Sequence, residues 1–311
     1  MLGAGGVLGA AWTIGALAAL VEADGWDPRE ADVLIGTSAG SVLVSALACG
    51  VGVDALLNHQ RGVVDDPRIR YDADRDSGGA LPPLPRPGIG SPRGVLHSAL
   101  HPWRVTPMAA LAAVLPRGRG TMAPIGQLVD GVLPAGGWSP HPQAWIVAMD
   151  HDTGRRIPFG RHGAPPAELR DAVMASCAIP GWYTPVTIGG RRYVDGGACS
   201  PTSVDLVTRL GLDEVVVLSP MTSLDYDSPT SVAGRIERRF RRLVTKRLLG
   251  EVKKVAATGT KVTLLSPGAR DLDAIGANLM DPRRRDRVLR TSLRTSAAAL
   301  AAARSGLAAS A

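Results

Sequence analysis

Ser38 stands between two glycines in Gly36-Thr37-Ser38-Ala39-Gly40, a G-x-S-x-G pentapeptide. Flanking glycines permit a strained turn that lifts a serine hydroxyl clear of a sheet at the start of a helix, where an attacking nucleophile is needed. The helix N-terminus also favours negative charge developing beside it. The same pentapeptide suits a turn chosen for steric reasons alone, so by itself it leaves the chemistry open. A second candidate is Asp195-Gly196-Gly197, which follows the strand-like Arg191-Arg192-Tyr193-Val194. A carboxylate at a strand end can accept a proton, and the glycines let backbone close around it; a plain Asp-Gly hairpin turn is the structural alternative. The third is Gly3-Ala4-Gly5-Gly6-Val7-Leu8-Gly9, a turn whose N–H groups can hold an oxyanion or a phosphate. Its dinucleotide reading is weak, because Leu8 occupies the last glycine position of G-x-G-x-x-G and no strand has room to precede it. A nucleotide-binding protein is therefore the third-ranked reading.

The histidines restrict which hydrolase is feasible. An α/β-hydrolase triad runs Ser, acid, His along the chain, yet His59, His97, His101, His141, His151 and His162 all precede Asp195. Most sit beside Pro, Gly or Asp and read as surface residues. No H-x-x-x-H spacing or His/Cys cluster suggests a metal, and no cofactor is expected. Cys49, Cys177 and Cys199 lie far apart, without the spacing of a disulfide framework or zinc site, which fits a reducing cytoplasm.

The elements that must position these residues follow from periodicity. Residues 31–35 read as a strand, Gly36 to Ser38 as a tight turn, and residues 39–49 as a small-residue helix. Ahead of them the apolar stretch from Val7 to Val21 reads as a buried helix; it lacks a preceding basic region and is too short to span a bilayer. Further strands are expected at 143–149, 183–188 with 191–194, 214–219 and 261–266, and helices at 166–176 and 202–210. This alternation predicts an α/β fold, a largely parallel or mixed sheet covered on both faces. At 311 residues with 45% hydrophobic and 20% charged composition, one packed domain with insertions is expected over the whole chain.

Between Asp65 and Pro107 eight prolines and several glycines argue against regular structure. A stretch of this kind inside a compact domain is usually functional, and a cap over a cleft, about residues 65–125, is the expectation. The net charge of +7 is almost all arginine. Without a basic tail or nucleic-acid motif it does not indicate a nucleic-acid partner, and an anionic membrane surface remains compatible with it. The segment 232–257 places Ile236, Phe240, Leu243, Leu248 and Val252 near one helical face, among or opposite Arg235, Arg238, Arg239, Arg242, Lys246 and Lys253. Such a helix either lies on a membrane or packs on the sheet with a solvated charged face.

Taken together, the glycine-rich opening, the elbow at Ser38, the segment Ala175-Ser176-Cys177-Ala178-Ile179-Pro180-Gly181 and the Asp195 turn resemble, in order and approximate spacing, the bacterial branch of the patatin-like phospholipase family. The resemblance covers roughly residues 1–220 and is weaker over the C-terminal helical region, about 230–311. It implies a three-layer α/β/α sandwich with a central, mostly parallel sheet. It also implies a serine acyl hydrolase of the lipase or esterase kind, with Ser38 as nucleophile and Asp195 as base. The N–H groups of Gly5, Gly6 and Val7 would then form the oxyanion hole, and Gly36, Gly40, Gly196 and Gly197 the supporting turns. Its substrate would be a lipid or other ester, with peripheral contact at the inner face of the membrane. Trp182 and Tyr183, just before the Asp195 loop, are candidates either for plain core packing or for the acyl cleft wall. Two departures stand out: Leu8 occupies a place where the family has Arg or Lys, and the first strand is reduced to Met1-Leu2, as in a truncated or misassigned start. The rival from another class is a non-catalytic, membrane-associated or regulatory protein on the same scaffold, docking through 232–257.

Overall fold

The computed structural model describes residues 1–76, 79–133 and 135–308. Its helices are α1 (Gly6–Asp24), α2 (Ala39–Ala48), α3 (Val53–Gln60), α4 (Ala73–Asp76), α5 (Pro92–Leu100), α6 (Pro107–Val114), α7 (Ala123–Val132), α8 (Leu169–Cys177), α9 (Val232–Ala256), α10 (Ala269–Ile275) and α11 (Arg285–Ala308). The strands are β1 (Leu34–Thr37), β2 (Ala144–Asp150), β3 (Arg156–Phe159), β4 (Val186–Ile188), β5 (Arg191–Asp195), β6 (Glu214–Leu218) and β7 (Lys261–Leu265).

The centre of the sheet is parallel. β1 runs parallel to β2, and β6 parallel to β7. Leu2 joins the two pairs as a one-residue strand, bridging in parallel to Gly36 and to Leu218. The antiparallel strands lie around β2: β3 and β5 pair with it directly, and β4 pairs with β5. Alternation along β2 defines the layers, because successive side chains leave opposite faces. Ala144, Ile146 and Ala148 enter the large core with α1, α2 and α8. Trp145 and Val147 face the other way, toward Val204, Val207 and Leu248, and Met149 meets Ala109 and Ala112 of α6. The result is the expected α/β/α sandwich with a mostly parallel centre.

Among the described residues α1 is the one helix long and apolar enough to cross a membrane, and most of it is buried within the fold. Leu8, Trp12, Ile14, Leu17 and Leu20 are all buried, which is the signature of a core helix apolar all round. It stops at Gly25, whose left-handed φ of 64° lets its N–H cap the Val21 carbonyl. α11 crosses α1 at small residues: Ser292 Oγ donates to the Trp12 carbonyl at 2.6 Å. The C-terminal helix thus packs on the N-terminal one.

Several expectations are corrected. β1 starts later than predicted and includes Gly36 and Thr37, so the turn is confined to Ser38. The proline-rich stretch holds α5, because Ser91 caps it by accepting from the Gly94 N–H and Pro92 sits in the first turn; there proline starts a helix instead of breaking one. Residues 202–210 supply only a 3₁₀ turn, Val204–Val207, and β3 was not anticipated. His151 is buried, its Nε2 3.2 Å from the Ala112 carbonyl oxygen.

The long helix α9 is present as expected, but its faces are arranged differently. Val244, Leu248 and Val255 pack inward, while Ile236 and Leu243 are exposed. Arg238 and Arg241 are buried, paired with Asp227 and Glu237, so these two guanidinium groups belong to the packed face and not to a solvated one.

Candidate active site

Two strand ends meet along one edge of β2. Ile146 pairs with Gly36 on one side and Phe159 on the other, while Met149 pairs with Val194 on one side and Arg156 on the other. Since β3 occupies one edge, β1 and β5 share the opposite edge. They run toward each other: Thr37 ends opposite Val147, and Asp195 ends opposite the next residue, Ala148. Ser38 and Asp195, far apart in sequence, are thereby brought together by backbone register.

At Ser38 the chain turns from β1 into α2 with φ 53° and ψ −123°. A non-glycine residue held at positive φ costs on the order of 1–3 kcal/mol and persists only where its surroundings enforce it. The enforcing contacts are specific. The Ser38 N–H donates to Ser176 Oγ at 2.9 Å, and that hydroxyl donates to the Val147 carbonyl at 2.7 Å. Two residues further on, the Ala178 carbonyl accepts the Asp195 N–H at 2.9 Å. The segment 176–178 therefore clasps both halves of the pair. Gly40 lets the opening loop lie against the elbow, since a Cβ there would stand 2.0 Å from the Leu2 carbonyl oxygen. On the other side Ala4 approaches Gly197, where an added Cβ would meet its methyl at 3.3 Å.

The opening loop leaves donors unclaimed. The Ala4 N–H goes to the Pro201 carbonyl, the Leu8 N–H to Leu279 and the Gly9 N–H to Gly5. Among the described residues no acceptor takes the N–H groups of Gly5, Gly6 or Val7. Gly6 and Val7 open α1 and line the same cleft as Ser38 and Ala39, which opens α2. Two helix N-termini thus face one small volume, an environment suited to an anion.

Asp195 is 6% exposed. Burial pushes its carboxyl up to about 6, and hydrogen bonding from the Ser38 side chain and the Gly197 N–H opposes that shift. Gly197 donates to Oδ1 at 2.7 Å. Because the folded pKa exceeds the ordinary carboxylate value, the proton on Asp195 stabilises the fold below about pH 4. That contribution is lost as pH rises through about 6. The ionised carboxylate is a stability cost at neutral pH, and its raised pKa brings it nearer the range useful to a general base.

The cleft itself is about 90 Å³ and mostly apolar, walled by Val42, Met122, Ile125, Ile179, Tyr183 and Met280. Tyr183 both belongs to the buried core and lines the cleft. Trp182 does not line it, and stacks on Tyr183 with ring centroids 5.9 Å apart. Among the described residues no histidine lines the cleft. A larger cavity of about 440 Å³ lies at the opposite, amino end of the parallel strands, beside Val33, Leu34 and Glu214. Open α/β sheets bind ligands at the carboxyl ends of their strands, which favours the smaller cleft.

The profile of the patatin-like phospholipase family matches residues 1–208. The chain belongs to the patatin-like phospholipase family. The match places it among lipid acyl hydrolases and spans the opening loop, the elbow, the clasp and the Asp195 turn. Beyond residue 208 come β6, β7 and α9 to α11, and Met280 from that part reaches the cleft. Ser176 was legible only as part of a motif. Its role as the hinge pin of the elbow needed the fold, and nothing in the sequence marked Met280.

Proposed function

We propose that this protein hydrolyses carboxylic esters of lipids through an acyl-enzyme on Ser38, with Asp195 as base and the N–H groups of Gly5, Gly6 and Val7 as the oxyanion hole. The observation that carries the reading is the head-on meeting of β1 and β5 beneath three unclaimed N–H groups. Asp195 takes the Ser38 proton as Oγ attacks the ester carbonyl, and the new oxyanion turns toward the opening loop. Collapse breaks the bond to the leaving alkoxide, which recovers the proton from Asp195. Water then attacks the acyl-enzyme as Asp195 accepts its proton; collapse breaks the acyl–Oγ bond, and Oγ takes that proton back from Asp195, releasing the carboxylic acid and restoring Ser38 and the ionised carboxylate. The base contributes about 10²–10⁴-fold, and each oxyanion donor about 2.7–4 kcal/mol. With its three cysteines free, the chain suits a reducing compartment, and cytoplasmic localisation is part of the proposal.

Hydrolysis of nitrophenyl esters and phospholipids by the parent and by Ser38→Ala tests this reading. The expected outcome is turnover in the parent and a loss of at least about 10³-fold in the variant; equal rates would end it. The non-catalytic alternative draws on the outer stripe of α9, where exposed Val232, Ile236 and Leu243 alternate with Arg235, Arg239 and Arg242. Vesicle binding without ester hydrolysis dependent on Ser38 would favour it. The strained turn at Ser38 opens α2 within the cleft that Gly6 and Val7 also line, and this placement supports the enzyme reading.

A further inference from the structure

The segment between the two walls of the cleft turns its large apolar side chains outward. In α6 the alanines Ala109, Ala112 and Ala113 pack inward, while Met108, Leu111 and Val114 face solvent. In α5 Leu96 and Leu100, one turn apart on a common face, are both exposed. Before and after α5 stand Leu84, 85% exposed, and Trp103, 75% exposed. Chains that merely cover a core do the reverse, and exposed apolar surface on this scale marks an interaction site.

Charge identifies the partner. From Asp76 to Asp130 the sequence holds no intervening aspartate or glutamate, but it holds Arg86, Arg93, Arg104, Arg117 and Arg119, all exposed. Apolar side chains interleaved with arginine and free of carboxylates match a bilayer surface with anionic headgroups, with tryptophan at the interfacial level. Position supports the same partner. Asp76 and Met122, which bracket the segment, both line the cleft of Ser38. The Ala80 carbonyl accepts from Asn278 Nδ2 at 2.7 Å, two residues from the cleft residue Met280.

We propose that the surface formed by residues 81–115 is the face on which this protein docks to an anionic lipid bilayer, bringing the mouth of the Ser38 cleft to the membrane. The docking face differs from the outer stripe of α9. Vesicle binding through this face is independent of ester turnover.

The test is co-sedimentation of the full chain carrying Ser38→Ala, which removes turnover from the readout. The vesicles are pure phosphatidylcholine, or equal parts phosphatidylcholine and phosphatidylglycerol. Binding to the anionic vesicles is expected, weakening as salt rises from about 0.1 M to about 1 M and the Debye length shrinks. Each basic residue near an anionic surface contributes about fivefold, so Arg86→Gln, Arg93→Gln and Arg104→Gln together should lower partitioning about a hundredfold. Leu84→Ser with Trp103→Ser should lower it at least about tenfold on the anionic vesicles. Ile236→Ser with Leu243→Ser on α9 should leave it within about twofold. Matching thermal melts confirm that each variant folds. The proposal is overturned if the parent binds neither vesicle, or if the α9 pair abolishes binding while both sets of substitutions in 81–115 leave it intact.

Discussion

Ser38 and Asp195 are held by the edge of β2 and by Ser176 and Ala178, whereas residues 79–121 are held by helix caps, alanine packing and scattered hydrogen bonds such as those of Ser91 to Asp152 and Arg117 to the Gly90 carbonyl. In the first region each position follows from a register: Thr37 opposite Val147, Asp195 opposite Ala148, and Gly40 against Leu2. In the second, Ser91 caps α5, Thr106 caps α6, and the Gly90 and Gly120 backbones touch neighbouring chain. The difference matches what each region must do. Chemistry needs reacting atoms placed within fractions of an ångström, which rigid strand ends supply. A surface that meets a disordered partner such as a bilayer needs composition more than placement.

Substitutions that damage each region sharpen this contrast. Gly40→Ala drives a methyl into the Leu2 carbonyl, 2.0 Å from where its Cβ would stand. Backbone on both sides has nowhere to go, and a loss of about 3 kcal/mol is expected, together with loss of ester turnover; chemical denaturation measures the first. Ser176→Ala removes the hydroxyl that joins the Ser38 N–H to the Val147 carbonyl and leaves both buried without that partner. It should cost about 1–3 kcal/mol and lower kcat about 10–10²-fold by loosening the elbow, with KM much less affected. Ser91→Ala in the other region removes a helix cap and a bond to Asp152. A loss of about 1 kcal/mol is expected, with turnover of a soluble ester unchanged. If Ser91→Ala reduced kcat as strongly as Ser176→Ala, the two regions would not be separable in the way described.

The same contrast governs what could be read from the sequence. Glycines that admit close backbone approach and a serine between them are local signals, so the elbow, the Asp195 turn and the opening loop were all legible. Strands 214–219 and 261–266 were placed almost to the residue because they are apolar runs bounded by turn residues. What escaped depends on distant partners. α5 was hidden because prolines were counted without the serine that precedes Pro92. The faces of α9 were misassigned because Asp227 and Glu237, which draw Arg238 and Arg241 inward, cannot be located by helical periodicity. Ser176 binds across the fold to residues 138 positions earlier and 29 earlier, so its hydroxyl carries no local mark of that duty.

The central claim is that a buried carboxylate, with no imidazole, activates Ser38. The rate of Ser38 labelling by a fluorophosphonate, followed across pH in the parent and in Asp195→Asn, tests it most directly. Since the base must be ionised and burial raises Asp195 to about 6, labelling in the parent should rise with pH through about 6 and then level. In Asp195→Asn it should fall about 10²–10⁴-fold and lose that inflection. Parental rates and an unchanged pH profile in Asp195→Asn would contradict the claim.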